Sequence, residues 1–210
     1  MPDDAAPRTI RDESVLRDIV GEPLPWLREK EMPKLDKHCR HFISLSPIAF
    51  IGSTGADGKG DVTPRGDPPG FVRVLDDKTI AIPERPGNKR ADTLRNVLAN
   101  PNVGVIFLVP GINEVLRING RATIVEDPAM LATMEVQGKT PKLAIRIDID
   151  DVFFHCAKAL TRAKLWDPAS KVERKSFPTM GQIQHDQKRS DVPVAEIDAS
   201  YNASVKNTLY

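Results

Sequence analysis

Glu114-Val115-Leu116-Arg117-Ile118-Asn119-Gly120-Arg121-Ala122-Thr123-Ile124-Val125 sets the fold class. Successive side chains of an extended chain point to opposite faces, so Leu116, Ile118, Ala122 and Ile124 share one side and Arg117, Asn119, Arg121 and Thr123 the other. Downstream, Leu143, Ile145, Ile147 and Ile149 alternate in the same way with Lys142, Arg146, Asp148 and Asp150, which predicts a second half-buried strand. Upstream, residues 103–109 are almost wholly apolar and stop at Pro110-Gly111; this is a buried strand, far short of the ~20 residues that span a bilayer. Residues 48–53, the turn residues 55–60 and Asp61-Val62-Thr63 predict a hairpin. Phe71 to Leu75, the turn Asp76-Asp77-Lys78 and Thr79 to Ile82 predict another. Between them and the apolar strand, residues 91–98 carry Leu94, Val97 and Leu98 at helical spacing and end at Asn100-Pro101. Several strands joined by short turns point to a closed antiparallel barrel with peripheral helices, rather than to a βαβ sheet.

The size of the chain, 210 residues and 23.2 kDa, fits one domain with appendages. Three zones follow from the pattern: a helical or irregular lead over 1–35, the barrel over 36–170, and a C-terminal arm over 171–210 that packs on the barrel or on a partner subunit. In the lead, Ile10, Ser14, Leu16, Ile19 and Val20 allow one helix before Gly21, and Leu24-Pro25-Trp26-Leu27 offers an aromatic residue to dock on the core. Lys and Arg number 30 against 29 Asp and Glu, so the net charge of +1 provides no field for nucleic acid or for a membrane surface. Cys39 and Cys156 form no C-x-x-C pair and read as reduced thiols, and the acidic start lacks a basic region followed by an apolar stretch, so a cytoplasmic protein is expected.

Three candidate chemistries fail. Residues 53–60 imitate a phosphate-binding loop around Gly58-Lys59, but Ser53 replaces its first glycine and Gly60 its metal-binding hydroxyl, leaving a hairpin turn. His38-Cys39-Arg40-His41 has no second cluster to complete a metal site and reads as a polar surface turn before Phe42-Ile43. No G-x-S-x-G elbow supports a serine hydrolase. A further motif, Pro83-Glu84-Arg85-Pro86-Gly87-Asn88-Lys89-Arg90, leaves a strand and enters a helix with three cations, a glycine and Asn88 as candidate N-cap. Unpaired N–H groups and the dipole at a helix start suit an anion. Arg65 in Thr63-Pro64-Arg65-Gly66-Asp67 offers a second arm, or else a simple pair with Asp67.

Read together, Ile51-Gly52-Ser53 through the Thr63 to Asp67 segment, the Ile80 to Arg90 segment, Arg117-Ile118-Asn119-Gly120-Arg121-Ala122, and Phe154-His155-Cys156-Ala157-Lys158 with Leu165-Trp166-Asp167-Pro168 resemble the pyridoxamine 5'-phosphate oxidase-like superfamily, in its uncharacterised FMN-binding branch. The resemblance covers about 42–168. It implies an antiparallel Greek-key split β-barrel that dimerises with itself and holds FMN in clefts between the subunits. Phosphate-binding cations then fall on Arg65, Lys89 and Arg90, with Thr63, Arg85 and Asn88 beside them. Ala81, Ile82 and Pro83 lie along the flavin ring, Trp166 closes the cleft from the other subunit, and Arg117 and Lys158 contact flavin or substrate.

The sequence departs from authentic pyridoxamine phosphate oxidases. Lys164-Leu165-Trp166-Asp167-Pro168 replaces their Arg-Leu-His-Asp-Arg type segment, and Val115 stands where they carry a glutamine. Vitamin oxidation is therefore not the expected reaction. The expectation is an FMN-dependent oxidoreductase of unknown small-molecule substrate, reduced by a nicotinamide or a similar donor, with no metal and no singled-out acid or base. A non-catalytic FMN carrier and a deazaflavin-dependent reductase remain the alternatives.

Overall fold

A computed structural model describes residues 8–188 and 191–210. The chain forms two compact units, Met1–Glu31 and Met32–Tyr210. In the first, α1 (Glu13–Val20) is capped by Asp12, whose carboxylate accepts from the Ser14 backbone N–H at 2.7 Å. Gly21 ends it at φ +80°, a backbone state that suits glycine. The segment carrying Trp26 is a short helix, α2 (Pro25–Arg28).

In the second unit α3 (Lys37–Leu45) precedes the strands, and here the expected surface turn at His38 to His41 is a helix. Asp36 caps it, accepting from the backbone N–H groups of His38 and Cys39 at 2.9 and 2.8 Å. Leu35, Cys39, Phe42 and Ile43 recur at helical spacing and bury themselves under the sheet, while the histidines face outward. Burial pushes the Cys39 thiol up to about 11.

Seven strands follow: β1 (Ile48–Thr54), β2 (Gly60–Gly66), β3 (Arg73–Val74), β4 (Thr79–Pro83), β5 (Asn102–Leu108), β6 (Val115–Val125) and β7 (Ala144–His155). All pairings are antiparallel, in the order β2-β1-β5-β6-β7-β4-β3. The result is an antiparallel Greek-key split barrel with peripheral helices. The strands predicted from the sequence are present, but the barrel does not close, since the edge strands β2 and β3 do not pair. Pro64 in the middle of β2 has no N–H for a further neighbour, which suits an edge strand. β3 is only two residues long and reaches only Ala81 and Ile80.

Ile51, Val105, Phe107, Leu116, Ile118 and Ile147 are fully buried between the halves of the barrel. β6 carries a bulge between Asn119 and Gly120, where a Cβ on Gly120 would stand 2.2 Å from the Asp148 carbonyl oxygen. Helix α4 (Asp92–Ala99) buries Thr93 and Val97 but leaves Leu98 78% exposed. The remaining helices are α5 (Pro128–Ala132), α6 (Lys158–Ala163), α7 (Met180–Lys188) and α8 (Val194–Asn207). The last two pack closely at Gly181, whose N–H donates to Asp198 at 2.7 Å. Among the described residues no helix is long and apolar enough to cross a membrane.

Candidate functional site

Where the sheet fails to close, two reversed ion pairs bridge the gap between β2 and the end of β4. Arg65 Nη1 donates to Glu84 Oε2 at 2.6 Å, and Arg85 Nε donates to Asp67 Oδ2 at 2.6 Å. Arg65 faces the core side of the edge strand because it stands opposite Ala49, so its long side chain runs past the core into the gap. Pairing Arg65 with Asp67, the local alternative, does not occur.

Beside these pairs lies a cleft of about 400 Å³, lined by β2, the loop after β4, the start of α4 and the residues Leu209 and Tyr210. That volume lies within the ~300–1,000 Å³ usual for small-molecule pockets. Of the residues singled out in the sequence, Thr63, Arg65, Pro83, Arg85 and Asn88 line it.

The two arginines differ in what they have left to offer. Arg85 engages all three guanidinium nitrogens within the protein: Nε on Asp67, Nη2 on the Met134 carbonyl at 2.6 Å, and Nη1 more distantly, at the surface, on the Lys139 carbonyl. Arg65 commits only Nη1, and its Nε is buried without a hydrogen-bond partner. An unsatisfied buried donor is costly, so Arg65 Nε holds hydrogen-bonding capacity that the protein leaves unused, as does the buried acceptor Asp61 Oδ2 on the same cleft.

The start of α4 is also open. Asn88 does not cap it as expected; its side chain turns back to accept from the Arg90 backbone N–H at 3.0 Å, and the N-cap is Ala91, which has no capping group. The reason is the backbone between them, with Lys89 at φ 60° and Ala91 at φ 55°, both left-handed. Of the loop cations, Arg90 is exposed and pairs with Asp92 at 2.7 Å, and Lys89 makes no ion pair among the described residues. Neither lines the cleft. Asp61, Glu84 and Asp92 do, so an anion here meets carboxylates as well as cations.

Other expected site residues lie elsewhere. Ala81 and Ile82 are fully buried, Ala81 being held between Arg73 and Arg146 in the ladder. Arg117 lies on the outer sheet face, 4.4 Å above the Phe153 ring. Lys158 is exposed at the start of α6, and Trp166 donates from Nε1 to the Ile112 carbonyl at 2.9 Å. Sequence reasoning missed Tyr210 as a cleft residue. Its hydroxyl donates to Asp67 Oδ1 at 2.7 Å, and its ring lies 5.4 Å from the Arg85 guanidinium carbon.

The sequence profile of the pyridoxamine 5'-phosphate oxidase family matches residues 35–156, more than half of the chain. The chain belongs to this family. No curated protein matches it. Among solved structures it is similar to HupZ of Group A Streptococcus (19% identity, 57% of this chain and 93% of that one, TM-score 0.47). It is also similar to General Stress Protein 26 from Bacillus anthracis (14%, 56% and 93%, TM-score 0.42) and to an FAD binding protein from Mycobacterium smegmatis (16%, 59% and 97%, TM-score 0.41). For this family member the matched span contains both ion pairs and the start of α4, while Lys158, Trp166 and Tyr210 lie beyond it.

Proposed function

We propose that this protein binds FMN in the cleft at the barrel split and works as a homodimeric, cytoplasmic FMN-dependent oxidoreductase acting on a small molecule. The observation that carries the reading is Arg65, a cleft arginine with an unsatisfied buried Nε, set near a helix start that no side chain caps. Those groups suit the phosphate. Arg65 and the first residues of α4 would hold it, with Lys89 as a nearby counter-charge; Thr63 and Asn88 would supply polar contacts, and Pro83 a wall. Bound FMN would supply the hydride chemistry, and the chain would supply orientation and charge.

Arg117, Lys158 and Trp166 do not line this cleft, and in a dimer their counterparts would reach it from the other subunit. The outer face of the sheet supports that assembly. Val62 is 71% and Ile106 38% exposed, and strand register places them with Phe50 and Pro64 on one side of β2, β1 and β5.

The test is the visible spectrum of the purified protein, mass identification of any released chromophore, and anaerobic titration with NADPH. Released FMN and bleaching by NADPH are expected. Bound FMN that no nicotinamide reduces would identify a carrier, and a deazaflavin mass would replace the cofactor. A colourless protein that takes up no added FMN refutes the proposal. Arg65→Ala combined with Lys89→Ala is expected to abolish FMN retention, and undiminished binding would remove the phosphate site.

A further inference from the structure

Part of the cleft wall is an aromatic ring, and it comes from this chain. Leu209 and Tyr210 follow α8 and line the same space as Thr63, Arg65 and Pro83. Tyr210 reaches across 143 positions of sequence to Asp67, whose side chain is only 1% exposed, and lays its ring near the guanidinium of Arg85. Both contacts are of kinds that orient aromatic ligands: a hydroxyl on a buried carboxylate, and a ring against a cation. Leu209 beside it is 60% exposed, so the anchor is the tyrosine alone. Such a contact holds by one hydrogen bond and one ring, and the tether keeps it at high local concentration without making it permanent.

We propose that Tyr210 is a tethered stopper, seated in the cleft wall when no flavin is bound, where it narrows the space, and displaced when flavin enters, so that seating of the tail and binding of the cofactor oppose one another. This rests on the flavin reading above, and it adds a regulatory device to that site. A ligand that binds only the open form has its apparent affinity reduced by the fraction of molecules that are open. Loosening the tail therefore tightens flavin binding. At high FMN the rate of association is limited by tail release and reaches a plateau.

The experiment is titration of full-length protein with FMN, followed by flavin fluorescence, for wild type, Tyr210→Phe and Tyr210→Ala. Tyr210→Ala is expected to lower the Kd about tenfold, the scale of one hydrogen bond to a charged group, and to abolish the kinetic plateau. Tyr210→Phe keeps the ring without the hydroxyl and should fall between. Hydrogen exchange of residues 208–210 should accelerate on saturation with FMN. An unchanged or weaker Kd in Tyr210→Ala, or slower exchange of the tail with FMN bound, overturns the stopper while the flavin site stands. Failure of wild type and both variants to bind FMN refutes the flavin reading and the stopper with it. Binding by Tyr210→Ala alone would establish both.

Discussion

Asp67→Ala removes the acceptor at the centre of the barrel split. Asp67 is 1% and Arg85 14% exposed, and Arg85 Nε lies 2.6 Å from the carboxylate, so water cannot replace the lost partner freely. Breaking a buried pair from one side costs about 3–5 kcal/mol. The lower end applies, because Arg85 keeps the Met134 carbonyl at 2.6 Å and so is not wholly stranded. A loss of about 3 kcal/mol, at a urea slope of about 2 kcal/mol/M, moves the unfolding midpoint down by roughly 1.5 M. The double variant Asp67→Ala with Arg85→Ala should lose less than the sum of the singles by about 2 kcal/mol, since the second substitution removes a charge already uncompensated. Urea unfolding followed by circular dichroism reads all three. A loss under about 1 kcal/mol in Asp67→Ala, or strict additivity in the cycle, would refute the claim that this pair holds the split together.

Gly120→Ala should destabilise by about 3 kcal/mol, the top of the usual overpacking range, because its Cβ would meet backbone at 2.2 Å; Gly60→Ala, with nothing within 4 Å, is the control in the same urea assay. Only Cys156 should react with a thiol reagent at neutral pH in the native protein, since it is exposed whereas Cys39 is buried with its thiol pushed up to about 11; two thiols should titrate after unfolding. The Tyr210 phenol has its pKa raised above the ordinary 10.0, first by its hydrogen bond to Asp67 and then by burial. The seated tail thus binds the proton more tightly than the free tail, so seating is at full strength below pH 10 and is lost as pH rises through the raised value. Tyrosinate absorbance, as the difference between wild type and Tyr210→Phe, should show a midpoint above 10, and one at or below 10 would contradict the Asp67 contact.

The strands were legible wherever one face is buried. In β6 and β7 the period of two is unbroken over Leu116 to Ile118 and Ile145 to Ile149, and a slip of one residue would turn those side chains to solvent. α3 was misread because the polar run from His38 to His41 hid a helical signal that was present: Leu35, Cys39, Phe42 and Ile43 on one side, with Asp36 just ahead. The start of α4 had no such signal. Lys89 and Ala91 adopt left-handed backbone without being glycine, and this displaced the cap expected at Asn88. The two ion pairs were illegible for another reason. They join residues 18 and 19 apart in sequence, across a gap that exists only because β2 and β4 belong to opposite ends of one sheet. Local patterning carries no information about a split.

That geometry divides the labour between two arginines that look alike in the sequence. A guanidinium has five N–H donors in a fixed fork. Arg85 uses both edges of that fork on Asp67, Met134 and Lys139, so an anion competing for it would have to undo the contacts that hold the barrel together. Arg65 uses one nitrogen on Glu84 and keeps another unsatisfied, so it can take a ligand without surrendering its pair. Arg85→Ala should therefore lower stability before it lowers ligand affinity, and Arg65→Ala should do the reverse. Tyr210 sits on the Arg85 side, over the structural pair, and not on Arg65. A tail placed there walls the cleft on the Arg85 side and leaves Arg65 uncommitted, so one side of the cleft is tied up in closure while the other stays free for the proposed ligand.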